Sequence, residues 1–67
     1  MTVKLNIPEI KRISAVNKFT NTVLAERSGI SRQNISTILR RGTCSAINAG
    51  RLAEALEVDV CKIWKEG

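Results

Sequence analysis

The run from Leu24 to Ile38, Leu-Ala-Glu-Arg-Ser-Gly-Ile-Ser-Arg-Gln-Asn-Ile-Ser-Thr-Ile, constrains the fold more than any other part of the chain. It reads as two short helices joined by a tight turn at Gly29. Leu24, Ile30, Ile35 and Ile38 take one side, and Arg32, Gln33, Asn34, Ser36 and Thr37 are left to the other. The turn needs a residue that tolerates positive φ, and glycine does so without a steric penalty. The first helix needs a small residue where it crosses the second, and Ala25 is there.

The rest of the chain has the same texture of short helices between single punctuating residues. Asn6 caps a first helix, with Pro8 tolerated in its first turn and Glu9 three residues after the cap, as in a capping box. Ile7, Ile10, Ile13 and Val16 are its apolar anchors, and it should fail near Asn17-Lys18. Phe19 precedes the cap Thr20 and is placed as a hydrophobic staple against Leu24. The second helix runs from Asn21 to about Ser28. Ser31 caps the third, which runs to about Arg40 with Ile35, Ile38 and Leu39 inward, and Gly42 stops it.

Ser45 is the next cap. Ala46, Ala49, Ala53 and Leu56 recur at helical spacing, with Leu52 beside them. Gly50 either allows close backbone approach or marks a later start, with Asn48 as cap. Asp59 caps a fifth helix from Val60 to Lys65. Met1 to Leu5 alternates briefly, as a frayed extended arm would, and no strand pattern is sustained. The expectation is an all-α, compact five-helix domain spanning residues 1–67 as a single unit.

Composition narrows the function classes. A chain of 67 residues with 43% hydrophobic content supports one small core, and Phe19 and Trp64 are its only aromatics, so that core is aliphatic. Up to Arg41 the sequence holds eight basic and two acidic residues, net +6; from Gly42 onward it holds three basic and four acidic, net −1. The positive charge therefore accompanies the Leu24–Ile38 segment, which suggests a polyanionic partner.

Cys44 and Cys61 lie 17 residues apart, and histidine is absent. That disfavours a zinc site, and no cofactor or metal is expected. A disulfide is possible on paper, but buried or half-buried thiols in a reduced cytoplasm fit better. No segment approaches the roughly 20 apolar residues of a membrane span. With no phosphate loop and no paired carboxylates at useful spacing, no enzyme activity is expected.

The two short helices and their turn meet the demands of a helix-turn-helix, which lays its second helix in the major groove of DNA. Gln33 and Asn34 can pair bidentately with adenine, and Arg32 with guanine. Thr37, one turn after Gln33, can touch a thymine methyl or a base edge. From Gly29 through Val58 the only acids are Glu54 and Glu57, whereas an ordinary exposed helix face usually carries Glu and Lys.

The run Thr20 to Ser36 resembles the lambda-repressor and Cro type of helix-turn-helix domain. Leu52-Ala53-Glu54-Ala55-Leu56-Glu57-Val58-Asp59-Val60 resembles that family's fourth helix and its exit. The resemblance covers roughly Ile10 to Trp64. It implies a five-helix fold with the third helix in the major groove. Base contacts then fall to Arg32, Gln33, Asn34 and Thr37. Phosphate contacts fall to Asn21, Ser31, Ser36, Arg40, Arg41 and Thr43.

Several positions depart from the family. Ser14 and Leu39 stand where it often pairs a buried Arg with a Glu, and an apolar or hydroxyl contact should replace that pair. The loop after the third helix lacks the common proline and is one residue longer before Gly42. Glu57 stands where the family has glycine.

The function this implies is a sequence-specific, Cro-like transcriptional regulator of prokaryotic or phage origin, cytoplasmic and binding double-stranded DNA as a dimer. Ile63 and Trp64 either form the dimer patch or, for Trp64, seal the core. The alternative is an antitoxin-like or anti-repressor-like interaction module on the same fold.

Overall fold

In a computed structural model the chain is described over residues 2–65. Among these residues it forms five helices and one two-stranded sheet. In chain order these are β1 (Thr2–Lys4), α1 (Ile7–Asn17), α2 (Asn21–Ser28), α3 (Arg32–Arg41), β2 (Thr43–Ser45), α4 (Ala46–Leu56) and α5 (Val60–Ile63).

Each helix begins where a side chain can satisfy an orphan amide. Asn6, Thr20, Ser31, Ser45 and Asp59 accept from the N–H of Glu9, Val23, Asn34, Asn48 and Cys61 respectively. α1 to α4 end on a residue in the left-handed region. Gly29 has a φ of 76°, as anticipated, Gly42 has the same value where α3 was expected to stop, and Lys18 and Glu57 adopt 59° and 60° without being glycine. Glu57 thus reproduces the turn for which glycine is usual, and the N–H of Val58 closes it on the carbonyl of Ala53 at 3.0 Å.

α4 is the centre of the molecule. Ala49, Leu52, Ala53, Ala55 and Leu56 are buried, and Ile10 and Ile13 of α1, Leu24 of α2, Ile35 and Ile38 of α3 and Ile63 of α5 complete the core. Phe19, Leu39 and Ile7 are partly buried against it. Gly50 lies mid-helix on the exposed side, and a Cβ there would meet nothing within 4 Å. Neither sequence reading of Gly50 therefore holds: the helix starts at Ala46, and no backbone approaches closely.

Four expectations need correction. The fold is not all-α, because β1 pairs antiparallel with β2 in the register Thr2↔Ser45, Val3↔Cys44, Lys4↔Thr43. Val3 and Cys44 point into the core from facing positions, and strands of three residues leave almost no periodic signal in sequence. Val16 is not an anchor but 69% exposed, since α1 has passed beyond the core by its last turn. Ala46, in the first turn of α4, is likewise exposed.

The fourth correction concerns the C-terminal segment. α5 ends at Ile63, and Trp64 turns extended and bridges Leu5. Ile63 is completely buried, so it cannot contribute to a dimer patch. Trp64, at 38% exposure, only partly covers the core. Backbone bonds from Asn6 N–H to Ile63 (2.8 Å) and from Lys65 N–H to Lys4 (2.9 Å) hold the two ends of the described chain side by side.

Candidate nucleic-acid interface

α2 and α3 are joined by Gly29, Ile30 and Ser31. Ile30 is buried, and its N–H donates to the hydroxyl of buried Ser28 at 3.2 Å, which pins the turn to the core. Arg27 fastens α2 to the far end of α4. Its Nε donates to the carbonyl of Ala55 at 2.8 Å, its Nη2 pairs with Glu57 at 2.9 Å, and its guanidinium lies 4.9 Å from the Phe19 ring centroid. The ion pair alone is exposed and weak. The bond to Ala55, a last-turn carbonyl with no helical partner, adds a directional constraint.

α3 is held by Ile35 and Ile38 and presents everything else outward. Arg32, Gln33, Asn34, Ser36, Arg40 and Arg41 are exposed, and Thr37 is half-buried. Within the described residues Arg32, Arg40 and Arg41 make no ion pair, because the paired cations are Arg12, with Glu9, and Arg27. Three unneutralised guanidinium groups thus lie on one ten-residue helix.

Internal bonds refine what individual side chains can offer. The Ser31 hydroxyl accepts from the Asn34 N–H at 3.2 Å, leaving its hydrogen free to donate outward. Thr37 Oγ1 donates to the Gln33 carbonyl at 3.1 Å, so it presents only a methyl group and an acceptor. Asn21 Nδ2 donates to Ser36 Oγ at 3.3 Å, bringing two expected phosphate contacts together across α2 and α3.

Successive residues of a helix turn by about 100°, so the outer surface of α3 has a crest and two flanks. Gln33, Thr37 and Arg40 form the crest. Arg32 and Ser36 form the flank beside α2, as the Asn21–Ser36 bond shows. Asn34 and Arg41 form the other flank, beside a cleft of about 300 Å³ lined also by Thr2, Thr37, Ile38, Thr43, Cys44 and Asn48.

The expected site residues therefore occupy one continuous side of the molecule, with Thr43 half-buried in the cleft and not on a free loop. Thr2 and Asn48 were not anticipated. Their only link to the site is the β1–β2 pairing and the start of α4, neither of which relates them to α3 in sequence. Burial pushes the Cys44 thiol up from its ordinary pKa, so the cleft floor is uncharged.

Elsewhere, Cys44 is buried and Cys61 exposed, and they form no disulfide. Among the described residues Ser14 Oγ is buried without a hydrogen-bond partner, so the expected hydroxyl contact at Ser14 does not form, while Leu39 packs partly buried against the core. No group of metal-ligating side chains occurs among the described residues, and no helix there is long and apolar enough to cross a membrane. Comparison with protein-family models, curated proteins and solved structures gave no match to this chain.

Proposed function

We propose that the chain is a sequence-specific DNA-binding regulator of transcription, with α2 and α3 acting as a helix-turn-helix and α3 as the recognition helix. The observation that carries this reading is the outer surface of α3. It combines bidentate-capable Arg32, Gln33 and Asn34 with unpaired Arg40 and Arg41, contains no acid, and is held rigid by Ile35 and Ile38. Gln33 reads base edges from the crest, Arg32 and Asn34 reach toward them from the two flanks, and Arg40 and Arg41 supply cations at the far end, a division of work that DNA recognition uses.

One such helix reads few base pairs, so two copies on a two-fold site are expected. The domain measures 28 × 21 × 18 Å, and half-sites one helical turn apart are separated by about 34 Å. Two copies therefore fit side by side on one face of the duplex. With Ile63 buried, Trp64 is the part of the expected C-terminal patch still open to a second copy. The alternative, a protein-interaction module, draws on Val16 and Ile47, two exposed apolar side chains on different helices.

Selection of bound sequences from a random duplex pool, followed by salt titration of variants, tests the proposal. Gln33→Ala should cost about 1–3 kcal/mol on the selected site and little on random DNA. Arg41→Ala should weaken all duplexes alike and make the log–log salt slope shallower by about 1. Failure to retard any duplex at low salt, or equal and sequence-blind losses in both variants, would refute the assignment.

A further inference from the structure

The cleft beside α3 has a composition that the reading of α3 alone does not explain. Its rim brings together four elements: Thr2 from β1, Asn34, Thr37 and Arg41 from α3, Thr43 from β2 and Asn48 from α4. Ile38 and Cys44, both 7% exposed, form an apolar floor. Among the described residues Arg41 is its one charged group, and no acid lines it. The side chains of Thr2, Asn34, Arg41, Thr43 and Asn48 make no hydrogen bond or ion pair within the described residues, and each is exposed or half-buried, so their donors are open to a ligand that enters the cleft.

Shape identifies that ligand. An α-helix with its side chains is about 10–12 Å across, and the major groove is about 12 Å wide. A helix seated in the groove must therefore have a sugar–phosphate ridge along each flank. On one flank Asn21 and Ser36 lie side by side, on the side of α3 that faces one ridge in such a docking. The other flank opens into the cleft. A convex, anionic ridge fits a concave, donor-lined recess with a single guanidinium.

We infer that the cleft is an oxyanion subsite for a phosphate of the second ridge, in which Thr2 and Asn48 join Arg41 and Thr43 as phosphate ligands. The two-stranded sheet thereby becomes part of the binding surface as well as of the core. The recognised chemistry is a phosphate oxyanion, and its source is either the DNA diester or free inorganic phosphate. The diester form rests on the DNA-binding reading above, whereas the free-anion form does not.

Asn48 offers a clean test because it is the third residue of α4, where an acid favours the helix. Asn48→Asp should leave thermal stability equal to or above that of the parent chain while placing a negative charge in the cleft. It should weaken binding to specific and random duplexes alike by roughly 10-fold and make the salt slope shallower by about 0.9. Thr2→Val, which keeps shape and removes the hydroxyl, should weaken binding about threefold.

If the parent chain binds duplex and both variants bind equally well, the subsite is refuted and the DNA reading stands. The second arm titrates inorganic phosphate into the isotope-labelled chain without DNA. If no duplex binds, but phosphate shifts the amide resonances of Thr2, Thr43 and Asn48 and Asn48→Asp abolishes those shifts, the subsite stands as a free-anion site and the DNA reading falls. Absence of both responses overturns both.

Discussion

α3 and α4 are almost the same length, ten and eleven residues, and both begin on a serine cap, yet they stand in opposite relation to the core. α4 buries Ala49, Leu52, Ala53, Ala55 and Leu56, whereas α3 buries only Ile35 and Ile38. α4 presents small and aliphatic residues to neighbours on several sides. α3 rests on a narrow apolar seam and turns amides, hydroxyls and guanidinium groups to solvent. A residue on α4 therefore bears mainly on whether the chain folds. A residue on the outside of α3 bears mainly on what the folded chain touches.

The largest expected effect breaks the two helices apart most directly. Leu52 is completely buried, so Leu52→Ala should destabilise the domain by about 2–5 kcal/mol, enough to unfold much of a domain this small. Gln33→Ala, on the exposed crest, should shift stability by less than about 0.5 kcal/mol. Urea denaturation of the two variants measures both. Comparable losses would mean that the crest of α3 is structural after all.

A smaller effect separates the ends of these helices. The turns before and after α3 use Gly29 and Gly42, while α1 and α4 end on Lys18 and Glu57 in the same left-handed conformation. Gly29→Ala should cost about 1–2 kcal/mol from backbone strain alone, since a Cβ there meets nothing within 4 Å. Lys18→Gly should raise stability by up to about 1 kcal/mol by relieving the same strain. Glu57→Gly should change little, because relief of strain is offset by loss of the pair with Arg27. Thermal melts that ranked Glu57→Gly above Lys18→Gly would show that the Arg27 contact contributes nothing.

The smallest effect lies at α5. Asp59 accepts from the Cys61 N–H at 3.0 Å, and this bond lowers its pKa below the ordinary value. A carboxylate with a depressed folded-state pKa contributes stability above its unfolded value, near about 3.9, and loses it as pH falls through the folded value. Any Tm advantage of the parent chain over Asp59→Asn at neutral pH should therefore vanish on acidification below about pH 4. An advantage that persists in acid would assign it to packing.

Much of this was legible because the signals are local. A serine, threonine, asparagine or aspartate satisfies an amide two or three residues on, so Asn6, Thr20, Ser31, Ser45 and Asp59 could be identified without knowing what lay across the core. Gly29 and Gly42 could be identified because positive φ is nearly glycine's own territory. The outward row on α3 follows from helical spacing once Ile35 and Ile38 are set inward. The clamp of Arg27 on Ala55 and Glu57 spans 28 and 30 residues, and nothing in either segment announces it.

The amino-acid order by itself determined a capping residue for each of the five helices, where the first three stop, and which side of α3 is polar, because caps, turns and amphipathic spacing act over a few neighbouring residues. Only the tertiary structure decided that residues 2–4 form a strand against residues 43–45, that Trp64 leaves its helix to bridge Leu5, and that Thr2 and Asn48 meet Arg41 around one cleft. Those outcomes depend on backbone partners and packing surfaces separated by some forty residues or more in the chain. No local preference is strong enough to choose them before the core has formed.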